Sequence, residues 1–354
     1  TQTEEVEKAV EAALEEGYRL FDTAFNYNNE EAIGCTLKRW VDAGRCRREE
    51  LFITTKLPHI GNRASDVEKY LTTSLRRLQL DSVDLYLIHV PFGFIPDKNS
   101  ENPAKEADGS YVLDNTDLLA VWKAMEQQVD LGHARNIGVS NFNIAQLEKV
   151  AAAARIYPAT LQVELHAYLQ QPELRACCAK LGIPLTAYSP LGSPGAKLHF
   201  QEKYNFHYVG NTEPDLLEHP LVKEIASSHE KSPSQVLLRH LVQQGIIVIP
   251  KSASPKRIKE NSQDEVDINS CCMSLIFAVH YCVCYNIEFF SRLGFIMSIC
   301  LHQWEGDLNK KSPNENQGPM MNLKMKLKVF LTILKKSIGN TPTRLPIFVD
   351  KTGT

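Results

Sequence analysis

The chain has 354 residues, 43% hydrophobic and 23% charged, the composition of one large globular domain or two smaller ones. A formal net charge of −3 gives no electrostatic argument for binding nucleic acid or an anionic membrane. The first residue is Thr1 and no basic segment with an apolar core follows, so no signal peptide is read and the true N-terminus is expected upstream.

Nine cysteines, an odd count without a secretory signal, point to free thiols in a reducing compartment. The group Cys271, Cys272, His280, Cys282 and Cys284 has the spacing of no common zinc site, and no metal is expected.

Residues 3–16 place Val6, Ala9, Val10, Ala13 and Leu14 at helical spacing, with acids on the other face. Gly17 ends that helix, and YRLFDTA (18–24) reads as a buried strand. The alternation continues with a helix over 30–41 and the strand LFITTKL (51–57), then a helix over 66–78 and DLYLIHVP (84–91). A helix over 117–131 precedes ARNIGVSNF (134–142), and one over 144–154 precedes ATLQVELH (159–166). A helix over 172–181 leads to PLTAYSPL (184–191), and a longer loop and helices over 220–244 lead to IIVIPKS (246–252).

Near-continuous apolar strands separated by helices imply a parallel sheet covered on both faces. Seven strands after an opening helix suggest a (β/α)8 barrel lacking its first strand, at the usual size of about 250 residues. A doubly wound sheet is the rival, and no Gly-rich turn after an early strand supports it. Beyond Asn261 the rhythm stops. Residues 271–301 are dense in Cys, Phe and Ile, but His280, Asn286, Glu288 and Arg292 interrupt them before a membrane span of about 20 residues is reached. Residues 306–322 read as linker, and MKLKVFLTILKK (325–336) as a short solvated element or disorder. The expected organisation is a barrel over 1–261 and an irregular, loosely ordered tail over 262–354.

In such a barrel the chemistry sits where strands end. The strand ends carry Asp22 with Tyr27 just beyond, then Lys56, His89, Ser140 with Asn141, Gln162 with Glu164, Tyr188 with Ser189, and Lys251 with Ser252. Any one of these could be a solvated strand end; all of them at one rim are not accounted for that way. An ammonium paired with a carboxylate and lying near a phenol favours the phenolate, so the phenol can serve as a general acid. A histidine alongside can hydrogen-bond the oxygen that receives the proton. Glu164, His166, Cys177, Cys178, Trp122 and Met125 take the plainer reading of strand end, half-buried thiol and helix core. The insertion 92–115 reads as a loop that shapes a pocket.

The stretches FDTAFNYNNE, ITTKL, LIHVP, GVSNFN, LQVELH, AYSPLGS and IPKSASPKRIKEN, in this order over residues 3–261, resemble the aldo-keto reductases, and are more similar to their animal aldose- and aldehyde-reductase branch than to the bacterial ones. The resemblance implies NADPH-dependent reduction of small aldehydes or ketones to alcohols. Tyr27 would be the proton donor, Lys56 and Asp22 its tuning pair, and His89 the orienting partner of the carbonyl. Ser140, Asn141 and Gln162 match positions that hold the nicotinamide carboxamide, and Tyr188 matches the residue stacked on its ring. Ser189, Leu191 and Ser193 would clasp the pyrophosphate. Lys251, Ser252 and Arg257 fall on the positions for the 2′-phosphate, Glu260 and Asn261 on those for adenine. Asn26 and Val90 are expected in the substrate pocket. The implied protein is a cytoplasmic monomer whose partner is a small-molecule carbonyl substrate, with no nucleic acid, membrane or metal. The family's first strand and C-terminal segment have no counterpart in the sequence given, so a non-catalytic NADPH-binding member, or an inactive truncated variant, is the alternative.

Overall fold

The computed structural model describes residues 3–98, 100–194 and 215–263. The expectations for the cysteine-rich stretch, the linker and the basic segment lie outside these residues. Helix α1 (Thr3–Glu15) buries Val6, Val10 and Leu14, one residue per turn along a single face. Gly17 then takes φ 89°, a left-handed bend that only glycine adopts freely, and turns the chain into β1 (Leu20–Asp22). The succession runs α2 (Glu30–Asp42), β2 (Phe52–Leu57), α3 (Val67–Leu78), β3 (Val83–Ile88), a two-residue hairpin of β4 (Gly93–Phe94) and β5 (Leu113–Asp114), and α4 (Leu118–Asp130). It continues through β6 (Ala134–Ser140), α5 (Ile144–Ala153), β7 (Leu161–Glu164), α6 (Pro172–Leu181), β8 (Leu185–Tyr188), α7 (Pro220–Ser228), α8 (Pro233–Val242), β9 (Ile247–Val248) and α9 (Pro255–Ser262).

Local chemistry sets several of these boundaries. The Asp117 carboxylate accepts from the backbone N–H groups of Leu119 and Ala120 at the start of α4. Asn143 with Gln146, and Ser232 with Gln235, form reciprocal capping boxes on α5 and α8. The helices expected over 220–244 are two, α7 and α8. Pro233 occupies the first turn of the second, where its missing N–H costs nothing.

Seven strands pair in the order β1-β2-β3-β6-β7-β8-β9, each neighbour parallel to the next, as in a (β/α)8 barrel. The sheet is strongly curled: Gln162 on β7 donates to Asp22 on β1 over 2.7 Å, though three strands stand between them in the order. The curl also brings the flanking helices together, with Tyr18 Oη donating to the carbonyl of Ile258 at 3.0 Å and Lys259 reaching Glu16 at 3.3 Å. β1 and β9 remain the outer strands among the described residues. Gly138 on β6 lies against its neighbours so closely that a Cβ there would come within 2.8 Å of the Thr160 carbonyl oxygen.

Trp122 and Met125 are core residues, as read from the sequence. Cys177 and Cys178 differ from expectation, because both are buried, and burial pushes the Cys178 thiol up to about 11. Near the start of β3 the buried Asp84 carboxylate takes Arg48 at 2.8 Å and Arg135 at 2.9 Å and accepts from the Ile53 N–H. That network lies at the N-terminal end of the strands, the end whose polar residues serve stability.

Candidate active site

The strands end on the polar residues singled out above. Lys56, 1% exposed, is placed by β2 inside the curl, where its ammonium pairs with Asp22 and donates to the Thr23 carbonyl at 3.0 Å. The other carboxylate oxygen of Asp22 accepts from Gln162, so the acid at the end of β1 is held from two directions. Residues Phe25–Tyr27 form a single 3-10 turn, closed by Asn28 in the left-handed region, which carries Tyr27 above the strand ends. The Tyr27 ring is half exposed. It stands edge-on to His89 with ring centres 5.6 Å apart, and the Lys56 ammonium is 5.2 Å from its centre. Four residues spread over 68 positions of sequence thus meet at one point.

His89 is held by β3 at the rim. Burial, with Lys56 and then His59 nearby, pushes its imidazole down to about 3. His89 is therefore neutral at neutral pH, and its Nδ1 is buried without a hydrogen-bond partner among the described residues. A group whose folded pKa lies below its unfolded value contributes stability above the unfolded value and loses it as pH falls. Between pH 7.5 and 5 the loss from His89 is expected to reach about 2 kcal/mol, approaching about 1.4 kcal/mol per pH unit below pH 6. Urea midpoints compared at these pH values for the native chain and His89→Gln check this, since the variant should show the smaller decline.

A second network adjoins the first. Asn141, just past β6, donates from its amide to the His89 carbonyl at 2.9 Å and to Ser140 Oγ at 3.2 Å. Its amide oxygen accepts from the Tyr188 hydroxyl at 2.9 Å. Burial first, then Glu164 and Tyr27, pushes Tyr188 up to about 12, so it stays a phenol. Asn141 and Ser189 each follow a strand directly with positive φ, 62° and 51°, and Ser193 repeats this at 50°. Non-glycine residues in that region concentrate at functional sites. Leu191 packs on a small second core built from Leu216, Val222, Ile225 and their neighbours. An open groove of about 640 Å³ is lined by Asn141, Glu164, Gln171 and Tyr188, and Tyr27 is not among its lining residues.

The last cluster stands around α9. Lys251 and Arg257 are exposed and have no carboxylate partner among the described residues, whereas Lys256 is engaged by Glu260 at 3.8 Å. Ser252 Oγ accepts from the Ser254 N–H at 3.2 Å, Gln235 holds the Glu260 carbonyl at 3.0 Å, and Asn261 Oδ1 is buried without a partner.

Val90 sits at the rim beside His89, its carbonyl accepting from Asn62 at 2.8 Å. The same amide takes the Phe92 carbonyl at 2.6 Å and so clamps the base of the 92–115 segment. Asn26 is joined to His59 at 2.7 Å. Sequence reasoning missed Asn62 and His59. Both lie just past a strand that was read correctly, in a turn with no periodic signal.

Polar side chains gathered at the C-terminal ends of parallel barrel strands define the class, a (β/α)8-type enzyme fold. The model of the Aldo/keto reductase family matches residues 1–265, and the chain belongs to that family of carbonyl oxidoreductases. It is 43% identical to aldo-keto reductase family 1 member A1 of Gallus gallus over 260 residues, 73% of this chain and 76% of that relative. The Homo sapiens protein of the same name is 43% identical over 259 residues, with the same coverage. Among solved structures, the aldose reductase of Schistosoma japonicum superposes with a TM-score of 0.70 at 37% identity, covering 79% of this chain and 85% of that one.

Proposed function

We propose that the chain reduces small aldehydes or ketones to alcohols with NADPH, Tyr27 giving the proton. The observation that carries this reading is the meeting of Tyr27, Lys56, Asp22 and His89 at one point of the rim. NADPH, when bound, supplies the hydride to the carbonyl carbon. The Tyr27 hydroxyl gives its proton to the carbonyl oxygen, and the Lys56 ammonium, fixed by Asp22, stabilises the phenolate left behind. Neutral His89 carries one N–H, which hydrogen-bonds that oxygen and orients the substrate between the tyrosine and the hydride donor.

The residues present fit the cofactor. Asn261 Oδ1 is a buried acceptor lacking a donor, which an adenine amino group would provide, with Glu260 beside it. Lys251 and Arg257, with the Ser252 hydroxyl, would take the 2′-phosphate at the start of α9. Ser140, Asn141 and Gln162 would hold the carboxamide, Tyr188 the face of the nicotinamide ring, and Ser189, Leu191 and Ser193 the pyrophosphate. Asn26 and Val90 would line the substrate side. We place this chemistry in a cytoplasmic monomer; no helix among the described residues is long and apolar enough to cross a membrane.

NADPH oxidation in the presence of a simple aldehyde tests the reading, and cofactor binding without turnover would refute it. Charge-assisted contacts contribute about 1.5–3 kcal/mol each. Arg257→Ala is therefore expected to weaken NADPH binding roughly tenfold or more and barely change NADH binding. Equal loss for both cofactors in a fluorescence titration would assign Arg257 to the fold instead.

A further inference from the structure

We infer that Arg77, on α3 and outside the catalytic group, is a positioning residue for the proton donor: it holds the Tyr27 turn from behind, through Phe25 and Glu30. The inference rests on the carbonyl-reductase reading above and deepens it. The Tyr27 ring is half exposed, and its hydroxyl has no hydrogen-bond partner among the described residues. Its place is therefore set by the turn that carries it. That turn is a single 3-10 turn over Phe25–Tyr27, closed by the Tyr27 N–H on the Ala24 carbonyl at 3.0 Å. Phe25 and Tyr27 thus move as one body.

Phe25 is 2% exposed and is held by two side chains of α3. The Tyr70 ring meets it edge-on with centres 5.1 Å apart, and the Arg77 guanidinium carbon lies 4.3 Å from its centre. The same guanidinium reaches Glu30 at 3.6 Å. Glu30 opens α2 three residues after Tyr27, and its carboxylate is buried. One oxygen accepts from the Thr55 hydroxyl at 2.6 Å, while the other has no hydrogen bond, so Arg77 is the described cation that offsets its charge. Thr55 directly precedes Lys56 on β2. Both ends of the segment that bears Tyr27 are therefore tied to one guanidinium, and the tie extends to the strand that bears Lys56.

Glu101, in the 92–115 segment, completes the hold by accepting from Arg77 with both oxygens, at 3.0 and 2.7 Å. A cation in the last turn of a helix is favourable in itself. Arg76, exposed and without a side-chain partner among the described residues, already serves that need in the same turn of α3. The plain role of a helix-end charge thus leaves the inward reach of Arg77, only 21% exposed, unaccounted for.

The test measures single-turnover NADPH oxidation with propanal, NADPH affinity and the urea midpoint in the 354-residue chain and three variants. Arg77→Met keeps an apolar stem against Phe25 and removes the charge. Its single-turnover rate is expected to fall about tenfold or more with NADPH affinity unchanged, since a misplacement of about 1 Å can cost about 100-fold in rate. Arg77→Lys keeps a cation within reach of Phe25 and both carboxylates, and is expected to retain the rate within about fivefold. Combining Arg77→Met with Glu30→Gln removes the stranded charge and keeps an acceptor for Thr55. Its urea midpoint is expected to return toward the native value while its rate stays low. A native rate in Arg77→Met overturns the inference. So does a rate that recovers in step with the midpoint in the double variant, which would make Arg77 a support for the fold alone, or a loss of NADPH affinity that matches the loss of rate. A native chain that binds NADPH and turns over no aldehyde removes the carbonyl-reductase reading itself, and the inference with it. That outcome is distinct from intact turnover indifferent to Arg77.

Discussion

Replacing Tyr27 with phenylalanine is expected to lower carbonyl reduction by about 10²–10⁴ while leaving NADPH affinity nearly unchanged. The ring's described contacts are its edge-on approach to His89 and the ammonium of Lys56 at 5.2 Å from its centre. Phenylalanine preserves both and removes only the hydroxyl, so the loss should fall on kcat. Tyr188 is poorly placed to substitute, because its hydroxyl already donates to Asn141 and burial holds it up at about 12. Single-turnover oxidation of NADPH, beside a cofactor titration, separates the two effects. Turnover that survives in Tyr27→Phe would move the proton donor to another group.

Much of the architecture was legible because parallel strands buried on both faces are apolar throughout and stand out between amphipathic helices. The strands proved shorter than the apolar runs that announced them. YRLFDTA contributes only Leu20–Asp22 to the sheet, and IIVIPKS only Ile247–Val248. The reason lies in the site itself, where apolar sequence continues past the ladder into turns that aim side chains at the rim. The 3-10 turn Phe25–Tyr27 buries Phe25 and exposes Tyr27 within three residues, which no period describes. Asp22, Lys56 and His89 were readable because a polar residue closing a buried run is conspicuous. His59 and Asn62 were not, since a histidine and an asparagine in a turn carry no pattern, and their meaning comes only from what the fold sets against them.

Gln162 shows the same limit from another side. Its place at a strand end marked it for a ligand, yet its amide nitrogen is spent on Asp22, a contact across the barrel that sequence order could not announce. That contact ties β1 to β7 and leaves the amide oxygen of Gln162 as the group open to a carboxamide.

The largest loss of stability is expected from Lys56→Met. The Lys56 side chain is 1% exposed and that of Asp22 11%, so little water screens the pair. Methionine fills similar volume but removes the ammonium, stranding the Asp22 carboxylate with Gln162 as its remaining described partner and leaving the Thr23 carbonyl without its donor. Breaking a buried pair by removing one partner costs about 3–5 kcal/mol, and a domain has only about 5–15 kcal/mol in all. The urea midpoint should therefore fall sharply. Adding Asp22→Asn to Lys56→Met removes the stranded charge while keeping an acceptor for Gln162, and should recover about half of the loss, because replacing both members of a buried pair is far milder than removing one. The double variant should nonetheless stay inactive, since no cation remains beside Tyr27 to stabilise its phenolate. Stability regained without activity would separate the two roles of Lys56, whereas a single variant that melts like the native chain would show that the pair contributes nothing to the fold.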